Sequence, residues 1–156
     1  ELVHTGRDAL PYSMAVEYRS LKPATDPNVV VELATKLDKS TVRMGENVRL
    51  TATVKNRTHD GQPMTIARVG LPGGLNFQTW QLKELKEKGL VDQWETKARE
   101  VILYFREMKP DQVREIPLDL VATVPGDYTG PASSAYLYYT DDRKFWSDAL
   151  KASVTQ

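Results

Sequence analysis

"VRLTATVKN", residues 48–56, sets Val48, Leu50, Ala52 and Val54 on one side of an extended chain and Arg49, Thr51, Thr53 and Lys55 on the other. Successive side chains of a strand point to opposite faces, so this alternation predicts one face in a core and one in water. An antiparallel sheet tolerates such a half-wet face. The same period recurs on both sides, at 12–20, 28–37, 64–71, 100–107, 114–124, 134–140 and 147–154. Between these runs lie "KPATDPN", "RMGEN", "THDGQP", "LPGGLN", "MKPDQ" and "PGDYTGPAS", clusters of the residues that turns require. Short strands at this spacing predict an all-β, immunoglobulin-like antiparallel sandwich.

One stretch departs from the period. "NFQTWQLKELKEKG" (76–89) is rich in Gln, Leu, Lys and Glu and poor in β-branched residues, a helix-forming mixture. It predicts a single inserted helix over about residues 76–88, with Asn76 capping its start and Gly89 ending it in the left-handed conformation. At about 100° per residue, Phe77, Gln81 and Leu85 share one side, and Thr79, Lys83, Lys86 and Glu87 share the opposite, solvated one.

Length and composition narrow the function. The 156 residues suit one domain, with 1–11 as a lead-in and 12–156 as the sandwich. Lys plus Arg is 21 and Asp plus Glu is 21, a balance that argues against a nucleic-acid partner, which would need a basic surface to displace counterions. No apolar run is long enough to insert in a membrane. Cysteine is absent, which excludes disulfides, thiolate metal sites and a Cys nucleophile. The chain begins at Glu1 rather than Met, as a fragment or processed product would.

Catalytic constellations do not assemble. His4 lies in the lead-in and His59 in a turn, without metal-ligand spacing. Asp141 and Asp142 are neighbours on an extended segment and point opposite ways, so they read as a charged turn rather than a catalytic pair. "VGLPGGL" lacks the Lys-Ser/Thr of a phosphate loop, and "NRT" at 56–58 is a glycosylation sequon. The expectation is a chain with no enzymatic activity of its own. "AYLYYTD" (135–141) packs three tyrosines into four positions, and phenols of this density want a place where one end stays wet.

The order of these pieces resembles the C-terminal receptor-binding domain of the alpha-2-macroglobulin and complement thioester-protein family. The matching segments are "LPYSMAVEYRSLKP" (10–23), "GENVRLTATVKNRT" (45–58), "MTIARVGLPGG" (64–74), the helix 76–88, "REVILYF" (99–105) and "AYLYYTD". The resemblance implies a secreted, extracellular or periplasmic protein, and the missing cysteines look like bacterial members. It implies a non-catalytic domain without a cofactor, monomeric when isolated. Its partners would be a helical thioester-carrying domain of the same parent, target proteases acting through the parent, and a cell-surface receptor. By motif position the resemblance places Met64, Tyr104 and Tyr138 in an apolar lid over the thioester. Met64 shares a face with Ile66, and Tyr104 with Ile102, as residues filling this domain's own core would, whereas the tyrosine run around Tyr138 is hard to bury entirely and favours the lid there. The family's receptor-contacting lysine pair falls on Thr79 and Lys83, which breaks the pair, and Lys86 lies nearby at a different spacing. Glu87, at i+4 from Lys83, could partly neutralise it. Two other readings compete: a generic immunoglobulin-like adhesion module, and an accessory domain of a secreted enzyme with Trp80, Trp94 and Trp146 as a carbohydrate platform.

Overall fold

The apolar stripe of 48–56 lies on one strand of a computed structural model that describes residues 3–156. In chain order the elements are β1 (Val31–Leu37), β2 (Thr41–Arg43), β3 (Asn47–Asn56), β4 (Thr65–Gly70), β5 (Leu75–Phe77), α1 (Thr79–Glu87), β6 (Gln93–Lys97), β7 (Glu100–Phe105), β8 (Val113–Ala122), β9 (Gly126–Thr129), β10 (Ser133–Leu137), β11 (Phe145–Ser147) and β12 (Lys151–Thr155). They form an all-β sandwich with one helix. A four-stranded sheet, β1-β3-β8-β5, faces a five-stranded one, β11-β10-β4-β7-β6, and β2-β12-β9 makes a small third sheet.

The core follows from the alternation. β3 pairs antiparallel with β8 so that Val48 meets Leu120, Leu50 meets Leu118 and Ala52 meets Ile116, all fully buried. Across the gap stand Ala67 and Val69 of β4, Val101, Leu103 and Phe105 of β7, and Ala135 of β10. Each buried Val, Leu, Ile or Phe contributes about 1.5–3 kcal/mol relative to exposure. The outward side of the same ladder is polar. There Arg49 donates through Nε and Nη2 to the Asp119 carboxylate, at 2.7 and 2.9 Å, from paired positions.

That fork gives a pH signature. The hydrogen bonds from Arg49 hold the Asp119 carboxyl below the usual carboxylate range, against a smaller opposing effect of burial. A depressed folded pKa means stability that is present above the unfolded pKa and lost as pH falls through the folded one. Both side chains are largely solvated, so Asp119→Asn is expected to cost under about 1 kcal/mol at neutral pH. The difference from wild type should close on acidification below roughly pH 4. Urea melts of both proteins at neutral and acid pH test this, and a pH-independent difference would contradict it.

α1 is shorter than the spacing predicts. Residues 75–77 instead pair with the end of β8, with Leu75 opposite Ala122 and fully buried. Tertiary pairing wins over local helix propensity here. Asn76 therefore does not cap; its amide donates to Thr123 Oγ1 at 2.9 Å, and Gln78 occupies the cap position without a side-chain bond. The buried side of α1 is Leu82 and Leu85, and Gln81 brackets the Asp119 backbone with two hydrogen bonds of 2.8 and 2.9 Å. Gly89 ends the helix as expected: φ is +69°, its N–H reaches the Lys86 carbonyl, and the Leu90 N–H reaches that of Leu85. Docked this way, α1 closes the side of the sandwich between β8 and β6.

Two further readings change. Residues 12–20 form no strand: they pair with no strand among the described residues and are exposed. Short β2, β6 and β9 arise where turn or polar residues hid any period. "VGLPGG" leads into β5 under the Tyr128 ring, and a Cβ on Gly73 would sit 2.3 Å from that ring.

Candidate functional site

β4 and β7 run through the middle of the five-stranded sheet, and both are largely buried on both faces. Their inward residues join the sandwich core, whereas Ile66 and Ile102, although buried, lie outside it. The ladders explain why. Gln93, Tyr104, Ile66 and Tyr136 stand side by side across β6, β7, β4 and β10, and Glu95, Ile102, Arg68 and Ser134 form the next row on the same face. This is the outward face, and Arg68 donates to Glu100 across it.

Met64 and Tyr138 extend this face by one more row. The Tyr138 N–H donates to the Met64 carbonyl at 2.8 Å, continuing the β10–β4 ladder past the strand ends. Met64, Tyr104 and Tyr138 then line one shallow recess with Tyr139, Asp92, Gln93, Glu95 and Arg106. The structure thus brings the three lid candidates together, on a face pointing away from the sandwich core. Tyr138 is 51% exposed and meets Tyr139 edge to face, with ring centroids 5.1 Å apart. Partial burial, and then the Glu95 carboxylate, push the Tyr104 phenol above the usual tyrosine range, so it is a neutral O–H donor at physiological pH. A thioether and three phenols with a polar rim offer van der Waals cover and hydrogen bonds, but no nucleophile–base pair.

The polar rim and the outward placement of Ile66 and Ile102 escaped sequence reasoning. Their signal was present in "MTIARV" and "VILYF", whose apolar residues fall on both faces of a strand.

The second candidate surface adjoins the first. Thr79, Lys83 and Lys86 project to solvent from α1, and Lys83, Lys86 and Glu87 line a recess with Gln93 and Trp94. Lys86 Nζ donates to Gln93 Oε1 at 2.7 Å. The helix ion pair is Glu84–Lys88, at 2.6 Å, rather than one between Lys83 and Glu87. Gln93 lines both recesses, which therefore adjoin at β6.

Other candidates disperse. His59 Nδ1 lies 2.7 Å from the Asp111 carboxylate in an exposed turn, and a His4 ring nitrogen lies 2.8 Å from the Asp8 carbonyl oxygen. Asn56 of the sequon is fully buried, with its amide committed to the Asp60 and Lys109 carbonyls. Trp94 and Trp146 sit on opposite edge strands and Trp80 on the helix, so they form no common platform.

Comparison with known proteins agrees with this fold. The chain is similar in fold to Salmonella alpha-2-macroglobulin reacted with methylamine, with TM-score 0.67 and 17% identity over 92% of this chain and 10% of that one. Native alpha-2-macroglobulin from Escherichia coli, spanning domain MG7 to the C-terminus, gives 0.66 and 16% over 86% and 25%. The trypsin-activated E. coli protein gives 0.68 and 16% over 86% and 11%. The chain thus spans a tenth to a quarter of the solved chains it resembles. No curated protein sequence matches it. The model of the A-macroglobulin receptor binding domain matches residues 60–147, from the turn before β4 to the end of β11 and so across both recesses, and by that match the chain belongs to this family.

Proposed function

We propose that this chain is the non-catalytic receptor-binding domain of a secreted or periplasmic alpha-2-macroglobulin-like protein that traps proteases. Its outward sheet face packs against the parent's thioester-carrying domain, and Met64, Tyr104 and Tyr138 shield the thioester until activation. One observation carries the reading: those three residues line one recess on the outward sheet face, where Tyr138 remains 51% exposed. An apolar face rimmed by charge is what an interface looks like without its partner. The chemistry fits, because a thioester persists only while water and amines are kept from its acyl carbon. After activation, the exposed Thr79–Lys83–Lys86 face of α1 is the surface offered to a receptor. Family membership disfavours the generic adhesion module, and the dispersed tryptophans disfavour the carbohydrate platform.

Tyr138→Ala tests the reading in two measurements. In the isolated domain it should cost about 1 kcal/mol or less, because an exposed ring leaves little cavity. In the full-length parent it should speed loss of the thioester to water or methylamine, followed as thiol release. A severely destabilised domain together with an unchanged thioester lifetime would make Tyr138 a structural residue only.

A further inference from the structure

Tyr104 stands directly opposite Gln93 of β6, and Glu95 is the next outward residue of that edge strand. Diagonal neighbours of this kind lie about 7–8 Å apart, a gap that a tyrosine side chain spans. Both residues line the recess with Met64 and Tyr138. Tyr104 is half-buried there and Glu95 is exposed at the rim.

The other polar groups beside them are committed. Gln93 Oε1 accepts from Lys86 Nζ at 2.7 Å, which engages that oxygen with α1. Arg68 shares a row with Glu95 but is separated from it by Ile102, and it donates to Glu100. What remains for the Tyr104 hydroxyl on the β6 side is the Glu95 carboxylate. Partial burial, and then a hydrogen bond to that carboxylate, raise the phenol above its usual range. A hydroxyl donating to an ionised carboxylate makes a bond about twice as strong as a neutral one. Tyr138 is held differently, by its backbone bond to the Met64 carbonyl and by the edge of the Tyr139 ring.

We infer that Glu95 is a positioning residue of the shield, whose carboxylate holds the Tyr104 phenol in one orientation at the recess before any partner docks. A tyrosine turns about two side-chain torsions, and freedom lost on docking weakens the contact that the ring makes. A ring anchored in advance loses less, so the cover it gives is steadier. The edge strand β6 then has a task beyond pairing with β7: it carries the acceptor that aims the phenol.

This role rests on the reading that Tyr104 shields the thioester, and two measurements separate them. In isolated 1–156, Glu95→Gln removes the charge and keeps the shape. Carbon-13 NMR of ring-labelled tyrosine should then show the Tyr104 titration moving down toward ordinary tyrosine values. In the full-length parent, Glu95→Ala should quicken thiol release by roughly three- to tenfold, the weight of one net hydrogen bond. Tyr104→Phe keeps the ring, loses the hydroxyl and should quicken release by a similar factor. Adding Glu95→Ala to Tyr104→Phe should change nothing further, because the two act as one unit. Glu95→Gln retains an acceptor and should keep most of the protection. A Tyr104 titration that ignores Glu95→Gln, or additive effects in the double variant, would overturn the role. Release quickened by Tyr104→Ala but not by Glu95→Ala would overturn it too, and leave the shield standing. Release that neither variant changes would overturn the shield and this role with it.

Discussion

Asn56→Ala is expected to lower the melting temperature of the domain by roughly 6–12 °C, from a loss of about 3 kcal/mol. Asn56 is the last residue of β3 and keeps the inward parity of Val48 to Val54, so its side chain is carried into the interior where the strand ends. There its amide donates to the Asp60 carbonyl at 2.7 Å and the Lys109 carbonyl at 2.9 Å. Its Oδ1 accepts from the Thr58 N–H at 3.0 Å and the Thr58 hydroxyl at 2.8 Å. One side chain thus ties the loop after β3 to the turn before β8. Alanine strands these groups with restricted access to water, and each costs about 1–3 kcal/mol when left unpaired. Asn56→Asp separates hydrogen bonding from shape, because it keeps the volume but sets an acceptor against two carbonyl oxygens. It should be at least as damaging as alanine. Melting of both variants decides the matter; a shift of a degree or two in each would show that water replaces the network. The same geometry bears on the sequon, since an amide nitrogen already committed to two carbonyls inside the fold is closed to a glycan.

This residue also shows where sequence reading stops. "NRT" has the form of a modification motif, and nothing local shows that Asn56 continues the buried parity of its strand. The sandwich itself was legible, because β3 and β8 alternate cleanly and the core they build needs no information beyond period two. Strands without alternation were not: β6, "QWETK", is an exposed edge strand held by pairing with β7. The start of α1 was misplaced for a related reason, since the pairing of Leu75–Phe77 with β8 is long-range and leaves no local trace. For the candidate site, the members Met64, Tyr104 and Tyr138 came from family resemblance, and the choice between core and surface stayed open. Topology closes it. β4 and β7 are the interior strands of their sheet, so one face of each must point away from the sandwich, and register assigns these residues to that face.

Phe105→Ala and Tyr104→Ala, adjacent on β7, should therefore differ sharply in the isolated domain. Phe105 is fully buried, points into the core, and has the Arg114 guanidinium 5.4 Å from its ring centroid. Its truncation empties a site walled by two sheets that cannot collapse freely, at a cost of about 3–5 kcal/mol. Tyr104 points the other way, between Gln93 and Ile66 on a face that no second sheet covers among the described residues, and its loss should cost about 1 kcal/mol, within the range of surface substitutions. The order should invert in the full-length parent when the readout is thiol release rather than melting. Tyr104→Ala removes part of the proposed thioester cover, whereas Phe105→Ala weakens the domain behind it. Measuring both variants by urea denaturation of the isolated domain, and by thiol release at a temperature where both stay folded, gives a two-by-two comparison. Equal destabilisation by the two would mean that the outward face is as tightly packed as the core. A faster thiol release from Phe105→Ala than from Tyr104→Ala would mean that the thioester responds to domain stability rather than to its cover. The physical reason to expect neither is that strand geometry sends neighbouring side chains to opposite faces. In β7 Phe105 faces the core that builds the fold, and its neighbour Tyr104 faces away from it.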